Sequence, residues 1–271
     1  MSIQTVNPNT NKIVKSFEEM NEKSVDAKVA KAHTTFTDWK ETSYQQRADL
    51  LHKVATLMRV KKSSLAKTIT LEMGKLLAQA EGEIDLSANI FDYYANHGGA
   101  FLADKVLDPA YGTAMIRNSP IGVLLGVMPW NFPFYQVARF AAPNMMVGNT
   151  ILLKHASIVP QCAVAIEELF KEAGAPEGLY TNLFISGKRA SALVSDKRIK
   201  GVSLTGSEDA GASVAMEAGK HLKKVVLELG GNDVFIILED ADMEKTVEWA
   251  VVGRMNNNGQ CCVAFKRFIA V

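Results

Sequence analysis

Residues 150–185 read TILLKHASIVPQCAVAIEELFKEAGAPEGLYTNLFI. Thr150–Leu153 is a short apolar run. CAVAIEELFKEAG then repeats apolar residues at helical spacing, and Leu179–Ile185 is apolar again. Strand, helix and strand at this pitch specify parallel strands joined by crossover helices. The pattern extends outward in both directions. Val123–Val127 precedes it, and Gly201–Leu204, Val225–Leu229 and Val234–Leu238 follow, with DAGASVAMEAGKHL as a further helix. The expected fold is α/β, a parallel sheet with helices on both faces. Ligands of such sheets gather at the carboxyl ends of the strands.

The first hundred residues read as a helical scaffold. Ser24 is placed as the cap of a helix carrying Val25, Val29, Ala32 and Phe36. Arg47 to Lys61 sets Leu50, Leu51, Val54, Leu57 and Met58 on one face. Ile84, Ala88 and Phe91 belong to a third helix, expected to end near Gly98-Gly99. GTAMIRNSPIG, residues 112–122, reads as an extended arm.

Composition excludes several classes. Of 271 residues, 48% are hydrophobic, which rules out a disordered chain. Thirty basic against 29 acidic residues leave a net charge of +1, with no footprint for nucleic acid or an anionic membrane. Residues 118–138 carry no charge, but Pro120, Pro129 and Pro133 argue against a spanning helix. The N-terminus lacks a secretory signal. Three cysteines make no disulfide framework and fit a reducing cytoplasm. No metal is expected.

Three residues are candidates for covalent chemistry. Cys262 follows a polar approach, Asn257-Asn258-Gly259-Gln260-Cys261, where a buried structural cysteine is the alternative. Glu228 ends KKVVLELGG. There Val225–Leu227 reads as a buried strand, and the carboxylate is either a general base or simply solvated. Asn131 lies between Pro129 and Pro133, a rigid amide suited to an oxyanion or else a turn residue. Gly206-Ser207 ends one strand and opens a helix, with Gly211 five residues after Gly206, a weak phosphate signal. Lys154, at a second strand end, is a ligand candidate or a solvated lysine.

Together these pieces resemble the aldehyde dehydrogenase superfamily. The matches are NPNT at 7–10, LEMGK at 71–75, PWNFP at 129–133, the strand ending in Lys154, LTGS at 204–207, ELGG at 228–231 and GQCC at 259–262. The resemblance implies a Rossmann-like dinucleotide-binding domain over 1–228, with an oligomerisation arm near 112–120. The start of a catalytic domain would follow over 229–271. It implies Cys262 as nucleophile, Glu228 as general base and Asn131 as oxyanion donor. Met128, Pro129, Trp130, Lys154, Gly187, Gly206, Ser207 and Gly211 would contact the cofactor.

Arg139, eight residues beyond Asn131, occupies the point where semialdehyde-specific members carry an arginine for the substrate carboxylate. Ser157 stands where NAD-preferring members often carry Glu, so NADP is favoured over NAD. His155 replaces the more usual proline and is expected to alter the adenosine contact. The implied reaction oxidises an aldehyde, foremost succinate semialdehyde, to the acid through a thiohemiacetal and a thioester. A neutral-aldehyde dehydrogenase is the alternative. The full-length form is expected to be a homo-oligomer. The chain stops nine residues after Cys262, which reads as an amino-terminal part, inactive alone or serving as a nucleotide-binding fragment.

Overall fold

The computed structural model describes residues 3–271. The chain opens not with a helix but with an antiparallel hairpin, β1 (Ile3–Asn7) and β2 (Lys12–Phe17). The turn chemistry of Pro8 to Asn11 overrides the helical texture, with Asn11 in the left-handed region. Four helices follow: α1 (Glu22–Trp39), α2 (Tyr44–Val60), α3 (Lys62–Met73) and α4 (Leu77–Phe101).

Asn21, not Ser24, caps α1. Its Oδ1 accepts the Ser24 amide at 2.8 Å. Ser43 and Gln46 form a capping box at the start of α2. Gly74, at φ +76°, closes α3. Helix α4 runs through Gly98-Gly99 rather than ending there. A Cβ on Gly98 would collide with the Met146 side chain, so this glycine permits close helix packing instead of a stop.

The arm forms a small antiparallel pair, β3 (Lys105–Leu107) and β4 (Ala114–Ile116). Then comes the alternation: β5 (Val123–Met128), α5 (Tyr135–Val147), β6 (Thr150–His155), α6 (Pro160–Glu172) and β7 (Tyr180–Asn182). It continues through α7 (Gly187–Leu193), β8 (Ile199–Thr205), α8 (Glu208–Lys220) and β9 (Lys224–Glu228). These strands form one parallel sheet in the order β7-β6-β5-β8-β9. The chain winds outward from β5 in one direction and then, from β8, in the other. The carboxyl ends of β5 and β8 therefore flank the switch point where such sheets bind ligands.

Alternating residues serve two cores. Leu124, Ile151 and Leu153 pack beneath α2–α6, whereas Val123, Leu125 and Leu152 face α1, α7 and α8. Helix α2 presents Leu50, Leu51, Val54 and Met58 to the first core, with Leu57 partly buried against it.

Strand β9 departs from expectation. Val225 and Val226 are 38% and 58% exposed because β9 is the sheet edge. The remaining residues form β10 (Asp233–Ile237), α9 (Met243–Met255), a 3₁₀ turn at Asn256–Gly259 and β11 (Phe265–Ala270). β10 and β11 pair in parallel as a separate sheet, so Val234–Leu238 does not extend the main one. Among the described residues no helix is long and apolar enough to cross a membrane.

Candidate active site

The turn from β5 into α5, Pro129–Phe134, is held from several directions. The Glu83 carboxylate accepts the amides of Phe134 and Tyr135 at 2.8 and 3.1 Å. These are first-turn donors of α5, which lack partners inside the helix. The other Glu83 oxygen pairs with the Lys75 ammonium, and both side chains are fully buried. Lys75 also lies 3.8 Å from the centre of the Phe132 ring. Burial pushes the Lys75 ammonium down and the Glu83 carboxyl up, and the partner opposes each shift.

His155, at the end of β6, donates its Nε2–H to the Pro133 carbonyl at 2.9 Å. Its Nδ1 accepts the Ala156 amide at 3.0 Å. These bonds select the neutral tautomer, and burial lowers its pKa to about 4. His155 thus holds the proline turn through its ring.

Asn131 is fixed within that turn. Its Oδ1 accepts the Phe132 amide at 3.1 Å, and its Nδ2 donates to the Gln260 carbonyl at 2.9 Å. One amide hydrogen remains without a partner among the described residues. Asn257 answers from the other side, its Nδ2 donating to the Asn131 carbonyl at 2.8 Å. Asn258 donates to the Gly74 carbonyl at 2.8 Å. Asn257, Asn258 and Gly259 all adopt positive φ, a bend that asparagine and glycine tolerate.

The bend delivers Cys262, which is half-buried, whereas Cys261 and Cys162 are buried. Burial pushes the thiols of both buried cysteines up. Gly231 faces the Cys262 carbonyl, which a Cβ there would meet at 3.4 Å. PWNFP, ELGG and GQCC therefore converge from distant parts of the chain.

Glu228 closes β9 opposite Thr205. Its carboxylate is half exposed and lies 3.5 Å from the Arg139 guanidinium on α5. The two share a groove of about 350 Å³ with Leu124, Met128, Phe140 and Val226. Met128 is thus turned toward the α5 side of the sheet. Pro129 and Trp130 are half-buried in the turn that follows.

The opposite side of the switch point can hold a dinucleotide. The Lys154 ammonium has no hydrogen-bonding or ionic partner among the described residues. Burial alone lowers its pKa, so a polar ligand would satisfy it. Ser207 caps α8 through the Ala210 amide at 3.3 Å, leaving the Glu208 and Asp209 amides open at the helix start. The Gly206 amide is bonded to the Glu228 carbonyl at 3.0 Å.

Gly211 lies in the first turn of α8. Its amide bonds to the Ser207 carbonyl, and a Cβ there would come within 2.7 Å of Leu229. Its glycine serves packing. Gly187 begins α7 in open space, and the partly buried Ser157 carbonyl accepts the Gln4 amide at 3.1 Å.

The aldehyde dehydrogenase family profile matches residues 1–271. The chain belongs to the aldehyde dehydrogenase family. It is 48% identical over 267 residues to the succinate-semialdehyde dehydrogenase [NADP(+)] of Deinococcus radiodurans, covering 98% of this chain and 56% of that protein. A probable succinate-semialdehyde dehydrogenase [NADP(+)] of Synechocystis is also 48% identical, covering 99% of this chain and 59% of that protein. The structure superposes on succinic semialdehyde dehydrogenase from Streptococcus pyogenes in complex with NADP+. That match has a TM-score of 0.96 and 46% identity, covering 98% of this chain and 59% of the other. This aldehyde dehydrogenase chain therefore spans less than two thirds of the length of these relatives.

Several residues of the site were not singled out from the sequence. Glu83 shares the buried face of α4 with Ala80, Ile84 and Ser87. A carboxylate on an apolar stripe was the signal for it. Lys75 lay inside a motif noted only as a landmark. Asn257 gave no signal before the bend placed it against Asn131.

Proposed function

We propose that this chain carries the nucleophile, base and dinucleotide site of an NAD(P)-dependent aldehyde dehydrogenase acting on a semialdehyde, foremost succinate semialdehyde. The observation that carries this reading is the Asn131–Gln260 hydrogen bond, which brings the amide beside the cysteine segment. Residues 1–228 would be the dinucleotide-binding domain, and 229–271 would begin the catalytic one.

In this reading the Cys262 thiolate forms a carbon–sulfur bond to the aldehyde carbon. The free Asn131 N–H, with the Cys262 amide, steadies the resulting oxyanion. A nicotinamide dinucleotide, when bound, supplies the hydride acceptor. Glu228 then takes a proton from a water whose oxygen attacks the thioester, and the thiolate leaves. Lys154 and the α8 start would hold the dinucleotide, with Gly206, Ser207, Pro129 and Trp130 around it. Ser157 adds no negative charge against a 2′-phosphate, which supports NADP. Arg139 would receive the substrate carboxylate.

The test is mutation of the thiols in the whole protein, following NADPH at 340 nm. Cys262→Ala should abolish succinate semialdehyde oxidation, and Cys261→Ala should retain most of it. The reverse order would refute the assignment. One observation favours a neutral aldehyde as a second reading: Arg139 already has a carboxylate partner in Glu228. In that case Arg139→Ala would affect charged and neutral aldehydes equally.

A further inference from the structure

Arg139 is an arginine with little to do. Its side chain donates no hydrogen bond among the described residues, and its guanidinium carbon lies 5.8 Å from the centre of the Tyr135 ring. Its ionic partner is Glu228, at 3.5 Å. Contrast Arg47, which is buried and donates to Thr42 and to the carbonyls of Trp39, Lys40, Met146 and Val147. Arg47 cannot be recruited by a ligand, whereas Arg139 can.

The Arg139–Glu228 pair is partly exposed to water, and such pairs are weak. At 3.5 Å the contact falls short of a two-point fork, so most guanidinium N–H groups remain uncommitted. The groove around the pair is otherwise largely apolar. A carboxylate entering it would meet the uncommitted face of Arg139, with Lys224 as a second cation on the groove wall, and one competing protein carboxylate, Glu228.

We propose that Arg139 exchanges carboxylates: in the empty groove it holds Glu228, and a substrate carboxylate displaces Glu228 from it. The exchange rests on the reading of Arg139 as carboxylate receptor. It makes release of the base more complete with a substrate that bears an acid group. An acid-bearing substrate raises the share of Glu228 that is free of Arg139, whereas a neutral aldehyde leaves that share unchanged.

The test measures binding of ¹³C-labelled succinate by NMR to this 271-residue chain and needs no turnover. Glu228→Gln removes the competing charge and should tighten succinate binding about two- to fivefold, the worth of an exposed ion pair. Glu228→Asp keeps the charge but withdraws it from contact, and should tighten binding similarly. Arg139→Gln should weaken binding at least about tenfold, in either Glu228 background.

Absence of succinate binding even in Glu228→Gln, or binding that survives Arg139→Gln, would refute Arg139 as the receptor and the proposal with it. Equal affinity in the unmodified chain and Glu228→Gln would overturn the exchange alone. Tightening by Gln but not by Asp would also overturn it, showing repulsion through space rather than a shared partner.

Discussion

Two carboxylate–cation pairs flank the same turn and helix, and they differ in almost every physical respect. Lys75–Glu83 is fully buried, with the carboxylate also capping α5. Arg139–Glu228 lies elsewhere on α5, in a groove where both members are partly exposed. Burial makes the first pair hard to break, because removing one partner strands a charge where water cannot reach it. Exposure makes the second easy to break, because water replaces either partner. The turn carrying Asn131 is therefore held by an interaction that does not open. The candidate base beside it is held by one that opens readily.

The largest test of this contrast is Lys75→Met. At neutral pH it should cost about 3–5 kcal/mol in urea unfolding, by leaving Glu83 buried without its cation. Lys75→Met/Glu83→Gln should recover most of that loss, because the glutamine oxygen still caps α5. If the double variant is no more stable than the single one, the cost comes from lost packing.

His155 is the next test, because it holds the same turn without charge. Its pKa in the fold is about 4, against about 6.5 unfolded. Its contribution to stability is therefore complete above about pH 6.5. It declines as pH falls toward 4, by on the order of 3 kcal/mol. His155→Gln keeps a donor for Pro133 and should flatten this part of the stability–pH curve.

Ser157→Glu probes the dinucleotide side. Repulsion of a 2′-phosphate should cost NADP about 1–3 kcal/mol relative to NAD, read from fluorescence titration with each cofactor. Equal losses for both cofactors would mean that the introduced carboxylate disturbs the turn rather than the phosphate.

The smallest effect belongs to the exposed pair. Arg139→Gln and Glu228→Gln should each change unfolding free energy by less than about 1 kcal/mol. A larger loss from either would end the contrast with Lys75–Glu83.

Much of this molecule was legible in its residues. Apolar runs such as Thr150–Leu153, alternating with helical segments, determined a parallel α/β sheet, because only that arrangement covers both faces of each strand. PWNFP, ELGG and GQCC marked the candidate residues, because rigid turns and glycine-rich strand ends are local features.

The tertiary structure decided what depends on neighbours distant in sequence. It put β9 at the sheet edge, leaving Val225 and Val226 exposed, which no local pattern encodes. It ran α4 past Gly98 because Met146 packs there. It gave Gly211 to Leu229, turned His155 toward Pro133, and set Arg139 beside Glu228. A residue's type limits the interactions it can make, but the partner it meets is chosen only when the sheet and helices bring the chain back on itself.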